Sequence, residues 1–401
     1  MLLSTNQQHD ITGGRCGFSA KRFRRTSSCP TSTTSTGPNQ QQQRPKIVNH
    51  RVPDTTSNLH SEIMTADTPH VAPPTAQGAL SFPRAKFAAG HRIVDKSGAF
   101  YTLVSQATGR CWRVIDSLRE CQFGEVLRAV EIRKTSSGKW AHATVASRPT
   151  FFAIKELSLH TMLEMQGRTH EDPLREVAAL QYLSNHSHEN VLQCTEALRD
   201  AETIYIVTPF YNGGEIFQAV ADRGRFVEDE ARPLFRQVLE GLHHLKRHGV
   251  CHRDVSLENL LLDEGNVVKF IDFGLALRIP QTADGRAMPL LPQGPCGKPH
   301  YISPEVLTSS AGFDGFAVDI WACGVMLFIM LTGVPPFELA LPSRDQRCRV
   351  IAVEERLEEL LSVWKLALSP EVINLLQSCL LYAPERRSTL EKLLSHPWVT
   401  A

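Results

Sequence analysis

One segment of the chain, CHRDVSLENLLLDEGNVVKFIDFG at residues 251–274, carries the residue types that phosphoryl transfer needs. Asp254 is a carboxylate that can orient a nucleophilic hydroxyl and accept its proton. Asn259 and Asp272 offer the amide and carboxylate oxygens that hold Mg²⁺ beside nucleotide phosphates. An HRD or a DFG tripeptide can arise by chance. The two tripeptides together, with the Asn between them at this spacing, are a specific signal of a phosphoryl-transfer site.

The order of these motifs resembles that of the eukaryotic protein kinases. Downstream, SPE at residues 303–305 stands at the place of the family's APE motif, and Arg387 matches the arginine that pairs with its glutamate. The likeness runs over about residues 111–399. The alternative is a hairpin turning at residues 263–266 whose charges are merely solvated. It leaves the motifs on either side unexplained.

Two charged residues upstream match the family's phosphate-holding ion pair. Lys155 resembles the third-strand lysine, which needs a carboxylate to fix its ammonium. Glu176 fits that role, because it lies on a helix predicted to open at Asp172-Pro173 with its apolar residues on one face. Alone, Glu176 would be interpreted as a solvated helical charge; beside the other motifs, the ion pair is favoured.

The resemblance implies an α+β fold with two lobes, a small β-rich N-lobe at about 111–207 and a large helical C-lobe at about 212–399. Residues 1–85 are rich in Ser, Thr, Pro and Gln and are predicted to be a disordered tail, because they bury too little to offset their ordering entropy. Residues 86–110 are interpreted as a linker or an N-lobe extension. Periodicity predicts a long helix over 228–247.

Composition narrows the remaining classes. A formal net charge of +1 gives no case for binding nucleic acid or an anionic membrane. The longest apolar run, residues 321–334, is too short for a membrane span and is predicted to be a buried helix. Ten cysteines without CxxC spacing, and no signal-peptide core, predict free thiols in the cytoplasm or nucleus. The basic cluster at residues 21–25 is open to three readings: a nuclear address, a mitochondrial presequence, or a solvated patch.

For ATP with Mg²⁺, the resemblance implies a pocket between the lobes. Adenine would lie against a hinge at residues 204–211, where Thr208 takes the gatekeeper position and leaves the space behind adenine accessible. Asn259 and Asp272 are implied to hold the metal. The residues implied to contact the nucleotide are Leu118, Cys121, Gly124, Val126, Ala153, Lys155, Thr208, Phe210 and Leu261.

Three departures from the family pattern bear on activity. In the GxGxxG loop that covers the phosphates, Arg119 and Cys121 replace the first two glycines and only Gly124 remains, which predicts a loosened or reshaped nucleotide contact. Ser256 replaces the lysine that most serine/threonine kinases carry after the catalytic aspartate. Lys298 replaces a threonine of their activation segment.

Two functions are therefore weighed. The first is an active protein kinase, in which Asp254 handles the substrate proton while Lys155 and Glu176 hold phosphates. The second is a pseudokinase scaffold with weakened nucleotide binding, which the lost glycines favour. Because a scaffold gains nothing from costly buried charges, the retention of all five polar catalytic positions favours the active kinase.

The substrate class follows from the same resemblance. LEN at residues 257–259 indicates the serine/threonine type, and motifs such as PPF at 335–337 are most similar to the calcium/calmodulin-dependent-kinase-like group. Glu215 and Glu258 match positions that hold substrate arginines, so protein substrates with Arg or Lys before the acceptor are expected; the alternative is two ordinary surface glutamates. Calmodulin is not expected, because no basic amphipathic helix follows the domain.

Regulation and two unusual residues complete the expectations. Thr282 is predicted to be a regulatory phosphosite ordered by Arg253, the alternative being an unmodified, solvated threonine. Lys298 is predicted to act in catalysis by reaching the γ-phosphate in place of the missing lysine, the alternative being a solvent-facing lysine. Cys121 is predicted to lie over the phosphates, the alternative being an inert, partly buried thiol.

Overall fold

The computed structural model describes residues 78–94, 100–145, 148–284, 287–292, 294–308 and 312–401. Most of the predicted tail, including the basic cluster at 21–25, lies outside the described residues. The strands are β1 (Ala88–Val94), β2 (Tyr101–Ser105), β3 (Cys111–Cys121), β4 (Gly124–Lys134), β5 (Trp140–His142), β6 (Thr144–Val145), β7 (Arg148–Pro149), β8 (Phe151–Ser158), β9 (Glu196–Arg199), β10 (Thr203–Pro209), β11 (Val250–Cys251), β12 (Leu260–Leu262), β13 (Val268–Phe270) and β14 (Leu277–Arg278).

Helices make up most of the second lobe. They are α1 (Leu159–Glu164), α2 (Pro173–Ser184), α3 (Ile216–Arg223), α4 (Glu228–Arg247), α5 (Pro304–Thr308), α6 (Gly315–Thr332), α7 (Gln346–Cys348), α8 (Leu357–Val363), α9 (Pro370–Cys379), α10 (Leu390–Leu394) and α11 (Pro397–Thr400). A 3₁₀ turn, Leu257–Asn259, precedes β12. The predicted long helix is α4, and Asp172 caps α2 by accepting hydrogen bonds from the first-turn backbone, as its position before Pro173 indicates.

The sheet of the first lobe closes on itself. Its eight strands follow the order β3-β2-β1-β9-β10-β8-β4-β5, and an additional β3–β4 pairing joins the ends into a seven-stranded barrel with β5 outside the ring. Closure depends on β1 and β2, which come from the segment interpreted as a linker or N-lobe extension. Strand β2 is antiparallel to β3, whereas β1 joins β9 in parallel through Ala88 and Ala89. Closing a barrel removes the exposed strand edges of an open sheet.

Polar side chains connect the two added strands to β8. Arg92 of β1 forms an ion pair with Glu156, the neighbour of Lys155, and donates from Nε to the Tyr205 hydroxyl at 2.6 Å. The Tyr101 hydroxyl of β2 donates to Glu156 Oε2 at 2.7 Å. Apolar side chains bury together between the strands, among them Leu103, Trp112, Val114, Leu127, Phe152, Ile154 and Val207. The added strands therefore help to hold the strand that carries Lys155.

Residues 78–87, here called the N-terminal strap, connect the two lobes along α2. The Leu80 N–H donates to the Arg278 carbonyl of β14 at 2.8 Å. Phe82 packs edge-to-face on Tyr182 of α2, with ring centroids 5.9 Å apart. Residues 78–85 belong to the segment that composition predicts to be a disordered tail, whereas the structure packs them against the domain. The strap is packed because its phenylalanines supply apolar anchors that a count dominated by polar residues does not reveal.

The second lobe is built around α6. This helix is long and apolar enough to span a membrane by composition alone, with a mean hydropathy of 1.9, but 94% of it is buried inside the domain. It is a core helix, as predicted for the apolar run at residues 321–334, which overlaps it and ends two residues beyond it. Arg387 fixes α5 against this core, because its Nη1 and Nη2 each donate to a Glu305 carboxylate oxygen at 2.7 Å and Nη1 also donates to the Ala317 carbonyl.

A stack of imidazole rings joins the end of α4 to the loop after α2. Ring centroids lie 4.3 Å apart for His186 and His248, 4.6 Å for His244 and His248, and 4.7 Å for His188 and His244. Burial, with neighbouring imidazoles adding to it, lowers the pKa of His244 to about 4. Burial also lowers the pKa values of His188 and His248. Packing therefore favours the neutral form of His188, His244 and His248.

This stack makes stability depend on pH. An unfolded histidine titrates near pH 6.5, so between about pH 6.5 and 4 the unfolded chain binds more protons than the folded one. The free energy of unfolding should therefore fall as the pH drops through this window. His244→Gln should flatten the slope in urea unfolding measured from pH 7 to pH 4, and His142→Gln, on exposed β5, should not. Equal slopes for His244→Gln and the unchanged protein would contradict the prediction.

Candidate functional site

A cleft of about 930 Å³ lies between the barrel and the helical lobe. Leu118, Val126 and Ala153 line it from the barrel, and Leu261 lines it from the helical lobe. Thr208, which is 7% exposed, and Phe210 line the cleft from the segment that connects the two lobes. A largely apolar slot of this volume suits a small-molecule ligand with a flat ring.

The β3–β4 hairpin covers one side of the cleft. Cys121 pairs directly with Gly124, so the turn consists of Gln122 and Phe123 alone. Phe123 is 4% exposed and packs in the main core. The β3–β4 ladder has two register shifts, the second just before Arg119, and then pairs down to the turn. The hairpin therefore accommodates side chains where the family pattern has glycines.

Gly124 differs in its surroundings from the other residues predicted to contact the nucleotide. The other residues predicted to contact the nucleotide line the cleft, but Gly124 is not among the lining residues. A Cβ at this position would come within 2.0 Å of the Glu156 carbonyl oxygen. The absence of a side chain is therefore required by the close packing of β4 on β8. The contact of Gly124 with the nucleotide stays a prediction.

Lys155 stands at the inner end of the cleft. Its Nζ donates to both carboxylate oxygens of Glu176, at 2.9 and 2.7 Å, and lies 3.8 Å from Asp272 Oδ1. Burial alone would lower the pKa of Lys155, but Asp272 and Glu176 outweigh it and hold the pKa above its usual value. Burial raises the pKa of Glu176, and the Lys155 charge opposes that rise. The ammonium is thus fixed between two carboxylates.

Asp272 has the backbone and charge state that a metal ligand needs. Its φ of 63° lies in the left-handed region, which turns its carboxylate into the cleft at the end of β13. Burial would raise the pKa of Asp272, but Lys155 and the Gly274 N–H lower it below its ordinary value. The carboxylate therefore stays ionised at neutral pH.

The catalytic-loop segment gathers a second group. Asn259 Nδ2 donates to Asp254 Oδ2 at 2.6 Å and to the Asp254 carbonyl at 2.8 Å. Lys298 Nζ donates to Ser256 Oγ at 2.7 Å and lies 3.2 Å from Asp254 Oδ2. Asp254 Oδ1 is buried and has no hydrogen-bond partner among the described residues. Oδ2 of Asp254 is thus anchored, while Oδ1 keeps an unused acceptor among the described residues.

Asp319 of α6 holds this loop from below. Its two carboxylate oxygens accept the backbone N–H groups of His252 and Arg253, each at 2.8 Å. Arg253 has a φ of 65°, a strained value for a non-glycine residue that these bonds sustain. Burial raises the pKa of Asp319 to about 7, against the effect of the two N–H donors. The carboxylate of Asp319 therefore fixes the backbone that precedes Asp254 to the buried helix α6.

The residues predicted to regulate the site lie in different surroundings. Arg253 Nη2 donates to Cys296 Sγ at 2.7 Å, and its guanidinium lies 5.6 Å from the Phe313 ring centroid. The Thr282 hydroxyl donates to the Asp284 carboxylate. The role of Thr282 as a phosphosite ordered by Arg253 stays a prediction.

Two features of the cleft were not found from the sequence. Glu171 lines the cleft just before α2, and burial together with nearby Asp272 raises its pKa. Its loop carries no recognisable motif, so no signal identified it. Arg119 forms an ion pair with Glu215, with Nη1 and Oε1 2.9 Å apart. The sequence indicates a candidate role for each of these residues separately, but their contact joins the two lobes and leaves no local sequence pattern.

The donor set fits a magnesium nucleotide. Asp272 supplies an ionised carboxylate, and Asn259 uses its amide N–H groups on Asp254, which leaves its carbonyl oxygen for a metal. Mg²⁺ prefers such oxygen ligands. Lys155 adds a fixed cation, and the buried Asp254 Oδ1 is an acceptor that awaits a donor.

Comparison with known proteins agrees with this geometry. A family model described as the protein kinase domain matches residues 130–399. The chain belongs to the protein kinase family. The predicted resemblance to eukaryotic serine/threonine kinases of the calcium/calmodulin-dependent-kinase-like group is confirmed by the match and by the kinases to which the chain is similar. Its two-lobed α+β fold is the fold of that family.

Three relatives illustrate the likeness. CBL-interacting protein kinase 1 of Oryza sativa subsp. japonica is 34% identical over 283 residues, 70% of this chain and 58% of the relative. CBL-interacting serine/threonine-protein kinase 9 of Arabidopsis thaliana is 40% identical over 222 residues, 55% of this chain and 44% of the relative. Serine/threonine-protein kinase SAPK4 of Oryza sativa subsp. japonica is 33% identical over 249 residues, 61% of this chain and 65% of the relative. The chain spans about half the length of the CBL-interacting kinases it matches.

The cleft of this kinase-family chain makes Cys121 a reporter of nucleotide binding. Cys121 lines the cleft and interacts electrostatically with Lys155. Bound MgATP should cover the thiol, so alkylation of Cys121 should slow by at least about tenfold at saturating nucleotide. Peptide mapping by mass spectrometry checks this, with Cys194, a partly buried thiol that is not among the cleft-lining residues, as internal control. Equal labelling of Cys121 with and without MgATP would contradict its placement over the phosphates.

Proposed function

We propose that the chain is a serine/threonine protein kinase, which transfers the γ-phosphoryl group of ATP to hydroxyls of protein substrates. The observation that supports this best is that Lys155, Glu176, Asp254, Asn259 and Asp272 meet in one cleft, with Lys155 held between two carboxylates. A cation, a base and a pair of metal ligands in one slot are the parts that phosphoryl transfer requires.

Asp254 would receive the substrate. Its Oδ2 is engaged by Asn259 and Lys298, so Oδ1 is the oxygen that can accept a hydrogen bond from the attacking hydroxyl. A Cβ on Gly297 would lie 3.4 Å from Oδ1, and its φ of 91° favours glycine. Holding the hydroxyl in line and accepting its proton is the contribution of Asp254 to the reaction.

Nucleotide binding would use the two walls of the cleft. Adenine fits between Val126 and Ala153 of the barrel and Leu261 of the helical lobe, beside Thr208. Lys155, fixed by Glu176, would hold phosphate oxygens. Asp272 and Asn259 would hold Mg²⁺, which when bound neutralises the charge of the phosphates.

The alternative of a pseudokinase scaffold receives no support from the site. The lost glycines favoured it, but β3 and β4 still pair down to a two-residue turn without them. A scaffold would not need the five polar residues in contact distance, since buried charges destabilise a fold unless they serve a purpose.

Asp254→Asn tests the activity. Purified protein with MgATP and a generic substrate should show incorporation of phosphate into serine and threonine, identified by phosphoamino-acid analysis. The variant should lose about 10²- to 10⁴-fold in rate, because its amide cannot accept the proton. Transfer by the unchanged protein at no more than the variant's rate would overturn the proposal.

Lys298 gives the proposed kinase an unusual source of positive charge. Ser256 stands at the position where a lysine is expected after the catalytic aspartate. Lys298 of the activation segment contacts both Ser256 and Asp254. Its ammonium is therefore in the neighbourhood that the missing lysine would serve. From there it can stabilise charge developing on the transferred phosphoryl group, and catalysis then requires the activation segment to be ordered.

A double-mutant cycle in kcat/KM tests this relocation of the cation. Lys298→Thr should reduce kcat/KM by roughly tenfold or more, because a donor to the developing charge is lost. Ser256→Lys alone should do little, and the two changes together should recover activity. An unchanged kcat/KM for Lys298→Thr, or no rescue by the second change, would refute a catalytic role for Lys298.

A further inference from the structure

Two carboxylates lie at the side of the cleft where the helical lobe begins. Glu215 directly precedes α3 and forms an isolated β-bridge with Leu261. Glu258 lies in the 3₁₀ turn before β12, and α3 packs against this turn. Both line the cleft that also contains Asp254. Both therefore border the same cleft in which a substrate hydroxyl would reach Asp254.

The two carboxylates differ in what occupies them. Glu215 Oε1 lies 2.9 Å from Arg119 Nη1, a contact that crosses from the barrel to the helical lobe. Glu258 Oε2 is buried and has no hydrogen-bond partner among the described residues. An anionic oxygen left buried without a partner is unfavourable until a donor or cation reaches it. One carboxylate is therefore paired within the chain, and the other keeps an oxygen without a partner among the described residues.

Arg119 occupies its position because β3 continues to the hairpin turn. The residue lies on the β3–β4 ladder, where it pairs with Val126 directly after a register shift between Ser117 and Arg119, and its side chain is 44% exposed. A glycine at this position would give the same backbone but no cation. The ion pair with Glu215 is thus a property of this chain's departure from the glycine pattern.

We propose that Arg119 is an internal substitute for a basic substrate residue: it occupies Glu215, so that Glu258 alone selects Arg or Lys before the acceptor hydroxyl. This inference rests on the proposed kinase function and specifies the substrates of the same cleft. The protein would select a basic substrate residue at one position only, although two glutamates are present that could each bind one. Removal of the Arg119 guanidinium would expose the second.

The expected effect is modest. An exposed ion pair adds little binding free energy on its own. The gain corresponds to a change of about two- to fivefold in an equilibrium constant. Arg119 nevertheless competes well, because it is attached to the same chain and its effective concentration is on the order of millimolar. A peptide arginine at micromolar concentration therefore gains little from Glu215 until Arg119 is changed.

The experiment compares peptides that differ only in Arg or Ala at one position before the acceptor serine. Two quantities are measured for each protein: the ratio of kcat/KM for the Arg and Ala peptides, and the ratio of their Kd values by fluorescence anisotropy with MgADP and a non-phosphorylatable acceptor. The proteins are the unchanged chain and Arg119→Gln, Arg119→Lys, Glu215→Gln, Glu258→Gln and the Arg119→Gln/Glu215→Gln double variant. Arg133→Gln, an exposed change on β4, is the matched control.

The unchanged protein should prefer Arg at one position, and Glu258→Gln should abolish that preference. Arg119→Gln should add a preference of about threefold at a second position. The double variant should lack the added preference, while Glu215→Gln, Arg119→Lys and Arg133→Gln should keep the profile of the unchanged protein. Thermal melting of each variant verifies folding.

Three results would overturn the inference: no added preference in Arg119→Gln, an added preference that survives Glu215→Gln, or a loss of arginine preference in Glu215→Gln alone. The two readouts separate this inference from the proposed function. A protein that transfers no phosphate refutes the function, whereas the anisotropy ratios still decide whether Arg119 occupies Glu215.

Discussion

The contact between Lys155 and Glu176 is the interaction on which the rest of the site depends. It joins a barrel strand to α2, and each of those elements is held by something outside the site. Glu156, next to Lys155, is bound by Arg92 and Tyr101 of the added strands, while the N-terminal strap packs on α2. Removing one partner of such a buried pair destabilises a protein by about 3–5 kcal/mol, because the other charge is left uncompensated. The extension upstream of the family match is therefore part of the support of the cleft.

A second constraint is electrostatic. The cleft holds Asp254, Asp272, Glu171 and Glu176 close together, and a set of anions this dense is stable only beside compensating cations. Lys155 serves the inner pair and Lys298 serves Asp254. With Ser256 on the catalytic loop, the cation for Asp254 comes from the activation segment. Loop and segment are therefore connected through charge as well as through packing.

Local features of this fold could be read from the sequence. The helix over 228–247, the cap at Asp172 and the motif residues Asp254, Asn259 and Asp272 are each specified by neighbours in the chain, through periodicity, capping chemistry or fixed spacing. Features that join distant segments could not. The parallel contact of β1 with β9 involves two residue pairs and leaves no periodic signal. Gly124 occupies the last glycine position of the family's phosphate-covering loop, but its lack of a side chain is required by the Glu156 carbonyl oxygen on another strand. The pairing of Arg119 with Glu215 depends on how the lobes are placed.

Barrel closure also orders events during synthesis. Strands β1 and β2 leave the ribosome first, but β1 has to wait for β9, which is made only after the hairpin, β8 and α2 have appeared. Contacts between segments so far apart in the chain form slowly, because a long loop must close before they contribute. Until then the sheet that β1 and β2 can form with β3 stays open, with β1 as an unpaired edge of the kind that pairs readily with other chains. The same seam that supports the cleft in the finished protein is therefore the stage at which the nascent chain most needs protection from aggregation.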